Sequence, residues 1–178
     1  MQENNAKKNG WKEAEPVFDG ASHGWKSAHI NKSMAIVKSI NLNATGGVPK
    51  HPVPSATIRM NGLEGDKQKH SNHGGTDRAV LLYSSERITQ LQEHKHPITP
   101  GSVGENLTIS GLDWASLEEN NILQIGDVQL QLTFTAVPCG TIRDSFFDYA
   151  WTICRDRWCA KVLSEGIVNV GDEVILLT

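Results

Sequence analysis

A chain of 178 residues, 38% hydrophobic and 21% charged, has the size and composition of one globular domain with a sizeable core and little room for a second. A net charge of −3 with no basic block excludes the electrostatic stripe of a nucleic-acid binder, and no apolar run approaches the roughly 18 residues of a membrane-spanning helix. Three cysteines are too few for a disulfide framework, and the N-terminus lacks the apolar stretch of a signal peptide, so a reducing, cytoplasmic setting is expected.

Residues 1–33 are polar and without a helical or strand period, yet they carry Trp11, Phe18 and Trp25. An irregular segment partly docked through these aromatics is expected, with a free tail as the alternative. From Met34 the pattern sharpens. "MAIVKSIN" (34–41) reads as a first strand and "ATIRMN" (56–61) as a second, separated by a loop over 43–55 that carries three prolines. The stretch "GLEGDKQKHSNHGGTDR" (62–78) holds four glycines and one large apolar residue in seventeen positions, and loops of that length in a compact domain are usually functional or mobile. "AVLLYS" (79–84) reads as a strand buried on both sides. Ser84 or Ser85 then caps the helix "SERITQLQEH", with Glu86 in its first turn and Ile88 and Leu91 facing inward.

"NLTIS" (106–110) is a short strand, and "GLDWASLEEN" predicts a turn of helix. "ILQIGDVQLQLTFTAV" (122–137) predicts a hairpin turning at Gly126-Asp127. In its second arm Val128, Leu130, Leu132 and Phe134 share one face, the period of a half-buried strand. "IRDSFFDYAWTICRDR" has mixed helical character, and two or three closing strands follow, with a turn at Gly171-Asp172. Short strands dominate, which predicts a mainly β fold with a few short helices: a bent, mixed or antiparallel β-barrel that removes its own edges.

Five groups can carry chemistry. Cys139, in "TAVPCGT", follows a patterned strand stopped by proline. Rigid backbone would aim its thiolate, and Arg143 would lower its pKa if a helical turn follows; a buried, inert cysteine is the plainer alternative. In "GLEGDKQ", Asp66 offers a hydrogen-bond acceptor and Lys67 a cation, although Gly-Asp pairs recur at 126–127 and 171–172 as plain turns. In "HGGTDR", His73 is a candidate acid, base or ligand, the glycine pair can form a backbone nest for an anion, and Arg78 stands at the mouth of a strand. His70-x-x-His73 has a metal-compatible spacing but supplies only two ligands. In "GSVGENLT", Asn106 offers both donors and an acceptor to a heterocycle or phosphate, or serves as a turn residue. Cys154 and Cys159 lack a CxxC spacing and read as structural.

The ordered series "PKHPV", "GLEGDKQ", "HGGTDRAVLLYS", "PGSVGENLTISGLDW", "IGDVQLQLT", "PC" and "CAKVLSEGIVNVGDEVIL" resembles the MOSC domain, named for the molybdenum cofactor sulfurase C-terminal domain. The resemblance covers residues 34–178, a MOSC-like barrel domain after the irregular segment 1–33. It implies a β-rich, strongly bent barrel in which the family's cysteine, matched by Cys139, carries a persulfide or ligates molybdenum. It also implies molybdopterin binding of the kind found in amidoxime-reducing enzymes and in bacterial proteins that reduce N-hydroxylated bases. At family level, the link to sulfurases brings an association with pyridoxal phosphate. Lys67, His73, Arg78, Asn106 and Asp66 would then serve the cofactor, and a soft thiolate suits a metal or a sulfane sulfur. The sequence shows neither the extra N-terminal β domain nor the C-terminal helical extension of some larger relatives. It has no ferredoxin-like cysteine set either, so an electron donor or a cysteine desulfurase is the expected partner.

Three functions follow as expectations. The first is a molybdenum-cofactor-dependent reduction of N-hydroxylated compounds with Cys139 as metal ligand. The second is a sulfur carrier holding a persulfide on Cys139. The third is a non-catalytic module for a pterin-like or phosphorylated ligand. A cysteine hydrolase using His73 as base is a weaker fourth, requiring the imidazole within hydrogen-bond reach of the thiol.

Overall fold

A computed structural model describes residues 34–138, 140–143 and 154–177. All belong to the second of the two units into which the chain divides, Lys32–Thr178. The expected docking of Trp11, Phe18 and Trp25 falls outside the described residues, as does most of the expected helical stretch before Cys154.

Alternation and β-branching produce strands where the sequence predicts them. They are β1 (Ile36–Leu42), β3 (Ser55–Arg59), β5 (Val80–Ser84), β6 (Leu107–Ser110), β7 (Ile122–Ile125), β8 (Val128–Ala136), β9 (Arg157–Ser164), β10 (Gly166–Asn169) and β11 (Ile175–Leu177). Two short strands lie inside segments expected to be loop: β2 (His51–Val53), within the proline-rich stretch, and β4 (Gly62–Leu63). The seventeen-residue glycine-rich segment is therefore not structureless. After β4 it forms two 3-10 turns, Ser71–His73 and Thr76–Arg78.

The strands form an eight-stranded sheet, ordered β11-β7-β8-β9-β5-β6-β1-β2, and a three-stranded sheet, β10-β3-β4. Pairing is antiparallel except between β5 and β6. That parallel pair is joined by a crossover through helix α1 (Ser85–Glu93), as a parallel connection requires. Ser84 caps α1, its hydroxyl accepting from Arg87 N at 3.1 Å, and Ile88 and Leu91 are buried. Among the described residues no continuous ladder closes the large sheet into a barrel. A seam instead connects β1 to the segment entering β11. Gly171 N donates to Val37 O at 2.8 Å, Val37 N to Asp172 O at 2.9 Å and Val174 N to Ala35 O at 2.8 Å, and Ile36 bridges Glu173. The fold is thus mainly β with mixed pairing, and the expected bent barrel is realised as a curled sheet stitched along this seam.

The main core draws on both sheets, including Val37, Ile40, Ile58, Leu82, Leu123 and Leu130. A second cluster joins Ile88 and Leu91 of α1 to Tyr83, Val103, Cys154 and Ile142. Ile142 sits in the one-turn helix α2 (Gly140–Arg143), so the chain just after position 139 is anchored in this cluster. The alternation in β8 buries Val128, Leu130 and Leu132, but the register with β9 shifts between Leu132 and Thr135, and Phe134 leaves the core. Among the described residues no helix is long and apolar enough to cross a membrane.

One glycine fixes the contact between two site-bearing loops. Gly101 has φ +89°, and a Cβ there would lie 2.2 Å from Lys50 O, while Lys50 N donates to Gly101 O at 2.9 Å. Gly126 also has a positive φ, +57°, but an added Cβ would meet nothing within 4 Å. Gly126→Ala is therefore expected to cost about 1–2 kcal/mol of backbone strain. Gly101→Ala, which adds a backbone clash, should cost at least about 1–3 kcal/mol more. Urea denaturation of the two variants checks this, and equal midpoints would count against the close approach.

Candidate functional site

The segments leading into β5 and β6, the end of β8 and the start of β9 line a cavity of about 440 Å³. Its walls differ in character. Leu81, Val103, Phe134 and Val137 are apolar, whereas Lys50, Lys67, Lys69, Arg78 and Arg157 bring positive charge and His73 a polar ring. Among the described residues no aspartate or glutamate lines it, although the chain as a whole carries −3. Pro138 and Ile142 both line the cavity, so the chain borders it on either side of position 139. Cys139 itself lies outside the described residues, as does its expected relation to the Arg143 and His73 side chains.

Of the residues expected to serve a ligand, Lys67, His73, Arg78 and Asn106 line this cavity. Lys67 follows β4 and its side chain is exposed. Arg78 ends the second 3-10 turn and places its guanidinium 4.8 Å from the centre of the Phe134 ring. His73 ends the first turn, its ring edge-on to His70 at 5.5 Å. Partial burial, with the positive charges of His70, Arg78 and Arg157, holds its pKa below the ordinary value. The imidazole is therefore neutral at neutral pH. Among the described residues no group of three or more His, Cys, Asp or Glu side chains is placed to hold a metal ion, so the His70/His73 pair stands without a third ligand.

Asp66 lies beneath the cavity rather than in its lining, with its side chain 4% exposed. One carboxylate oxygen accepts from Asn43 N at 2.8 Å. The other accepts from the Lys50 ammonium and from the Asn106 amide at 2.9 Å. Asn106 is occupied in turn: its amide also donates to Asn41 O at 3.3 Å, and its carbonyl accepts from Leu81 N at 3.1 Å. Asp66 and Asn106 thus bind the 43–50 and 62–68 loops to β1 and β5, while Lys67 and Arg78 present exposed side chains to the cavity.

Three lining residues escape the sequence reading. Lys50 lies in "PKHPV", but nothing in that segment singles it out as a ligand-facing cation. Arg157 sits in a charged stretch that reads as helical. Cys159 reads as structural, yet it lines the cavity while 4% exposed, its thiol pKa raised by burial. Cys154, by contrast, is wholly buried in the second core, and burial pushes its thiol up to about 11.

Curled mixed β sheets with short helices, and loops bordering a cation-lined cavity, define the class of this protein. A family model for the MOSC domain matches residues 69–175, and the chain belongs to that family, whose association with the molybdenum cofactor is a family-level one. The chain is similar to the uncharacterized protein YflK of Bacillus subtilis, 30% identical over 140 residues that span 74% of this chain and 63% of that protein. It is also similar to a protein named reductase from Gibberella moniliformis, 30% identical over 129 residues, 65% of this chain but 22% of the longer protein. Among solved structures it resembles YiiM from Geobacillus stearothermophilus, with TM-score 0.64, 22% identity and coverage of 81% of this chain and 75% of that one. The YuaD protein from Bacillus subtilis is similar at TM-score 0.67, 19% identity and coverage of 79% and 94%. These two likenesses are of fold.

Glu105, next to Asn106, is wholly buried. One oxygen accepts from Gly101 N at 2.7 Å and the Thr108 hydroxyl at 3.1 Å; the other has no partner among the described residues. Burial raises its pKa above the ordinary 4.5, while these hydrogen bonds pull it down. A raised carboxyl pKa means that the folded state keeps the proton to higher pH than the unfolded chain. Stability from this group is therefore full below pH 4.5 and falls as pH rises through the folded value. Glu105→Gln keeps the accepting oxygen and carries no charge. Its stability relative to the parent should rise with pH, by up to about 1.4 kcal/mol per pH unit inside that window. Urea midpoints of both proteins at about pH 4 and about pH 8 check this; a constant difference would count against it.

Proposed function

We propose that this chain binds a molybdopterin-type molybdenum cofactor in the cation-lined cavity, with the Cys139 thiolate as metal ligand, and reduces N-hydroxylated compounds with electrons from a separate donor. The observation that carries this reading is a cavity with five lysine and arginine side chains, no carboxylate among the described lining residues, and lining residues on both sides of position 139. That donor set fits the group. A phosphate-bearing pterin needs cations and hydrogen-bond donors, and a soft metal centre needs a thiolate. Lys67, Lys69 and His73 would hold the anionic part, with Arg78 stacked on Phe134 providing a flat, polar wall for the ring system. The cofactor would supply the two-electron redox chemistry; the chain binds, orients and shields.

Asp66 and Asn106 position rather than contact the ligand. Their hydrogen bonds hold the loop bearing Lys67 against β1 and β5, so that the cation is placed before any ligand arrives. Reduction of an N–O bond with loss of water consumes two protons; the neutral His73 imidazole at the cavity wall would take protons from solvent and pass them on as the imidazolium. The match to part of a longer protein named reductase agrees with a redox role for the domain.

A second reading is sulfur carriage on Cys139, because the cations lining the cavity that Pro138 and Ile142 border would favour a thiolate or persulfide anion. One experiment separates the two. The parent protein and Cys139→Ala are purified from a cofactor-competent host, analysed for molybdenum, and incubated with a cysteine desulfurase before intact-mass analysis. The first reading expects about one molybdenum per parent chain and a drop of at least about tenfold in the variant. The second expects no metal and a gain of one sulfur atom on Cys139. Metal and sulfur unaffected by the substitution would overturn both and leave a ligand-binding module.

A further inference from the structure

Arg157 is buried, 3% exposed, and lines the cavity where β9 begins. Its Nε donates to Cys154 O at 3.1 Å, one terminal nitrogen to Val103 O at 2.9 Å and the other, at the limit of a hydrogen bond, to Ala136 O at 3.5 Å. These partners are all neutral carbonyls, and no carboxylate pairs with the guanidinium among the described residues. Lys50 in the same wall is different, since Asp66 neutralises it. A buried charge is stable only when paired or richly hydrogen-bonded, and Arg157 is left with a full positive charge. Among the described residues three of its five N–H groups are engaged, which leaves one on each terminal nitrogen. Two N–H groups on one guanidinium match the two oxygens of a carboxylate or phosphate. Ala136 pairs directly with Arg157 across β8 and β9, so this donor stands beside the strand end that leads to Cys139.

We propose that Arg157 is an oxyanion-recognition residue of this cavity, and that the small molecule acted on there is an organic anion carrying a carboxylate or phosphate. The proposal deepens the reading above by taking the same cavity as the site of action, but the binding it asserts needs no metal. The cation wall around Arg157 favours such an anion on approach and discriminates against neutral analogues.

Calorimetric titration of the full chain with phenyl phosphate tests it, using protein both without cofactor and loaded from a cofactor-competent host. Arg157→Gln should weaken binding by at least about tenfold, and Arg157→Lys, which keeps the charge but loses the fork, by about threefold to tenfold. Lys161→Gln, which removes the same charge from β9 outside the cavity lining, should change affinity by less than about twofold. No binding by the parent, or equal losses in Arg157→Gln and Lys161→Gln, would overturn the proposal. If Arg157→Gln does not fold, the Arg157→Lys result decides. Loaded protein that still binds phenyl phosphate assigns the site to the substrate. Loaded protein that has lost binding assigns Arg157 to the cofactor's own phosphate and overturns the anionic-substrate assignment. A chain that never takes up molybdenum refutes the cofactor reading, leaves the cofactor-free titration intact, and makes a free organic anion the remaining source.

Discussion

The carboxylate of Asp66 is the constraint on which the cavity's geometry depends. It is an ion taken out of water, with its side chain 4% exposed, and its pairing with Lys50 offsets a desolvation cost of several kcal/mol. Such a pair contributes little net stability. What it contributes is location: the carboxylate is satisfied only where the Lys50 ammonium, the Asn43 amide and the Asn106 side chain all reach it. The loop over 43–50 and the segment that follows β4 are thereby brought to one point on β1 and β5. Lys67, the next residue along, takes its place from this arrangement, its own N–H held by Asn43 O at 2.9 Å.

The same logic extends through Asn106 to Glu105 and Gly101. Asn106 spends its side chain on Asp66, Asn41 and Leu81. Glu105 spends one oxygen on Gly101 and Thr108, and Gly101 accepts the closest backbone approach in the site, that of Lys50. Buried polar groups with fixed partners alternate here with backbone that only glycine permits. The result is a rigid rim built from loops. It explains why the "PKHPV", "GLEGDKQ" and "PGSVGEN" segments act as one unit although Lys50 and Glu105 are 55 positions apart in sequence.

The strands were largely legible in the sequence because a half-buried strand writes its own period. The alternation of Val128, Leu130 and Leu132 sets β8 without reference to the rest of the chain. What was not legible depended on partners far away. β2 and β4 are three and two residues long, too short for any period to show, and form only because β1 and β3 offer edges to pair with. Phe134 continues the apolar face of β8 by pattern, but the shift in register with β9 turns it out to the cavity. At the site, Lys67, His73, Arg78 and Asn106 stood out because glycine-rich loops flank them. Arg157 and Cys159 sit in a strand, where side-chain type says nothing about whether the neighbouring face is core or cavity.

That difference bears on what the cavity selects. The loop cations Lys67 and Arg78 are exposed, and an exposed charge is weakened by solvent and salt. They supply attraction over a distance and little discrimination. Arg157 is buried among carbonyls with no carboxylate partner among the described residues, so its preference for an anion is expressed at low dielectric and with a planar fork. A ligand drawn in by the rim is therefore sorted at the β9 wall. Specificity in this chain rests on a residue of the sheet that makes no motif, while the residues that make motifs set the stage on which it acts.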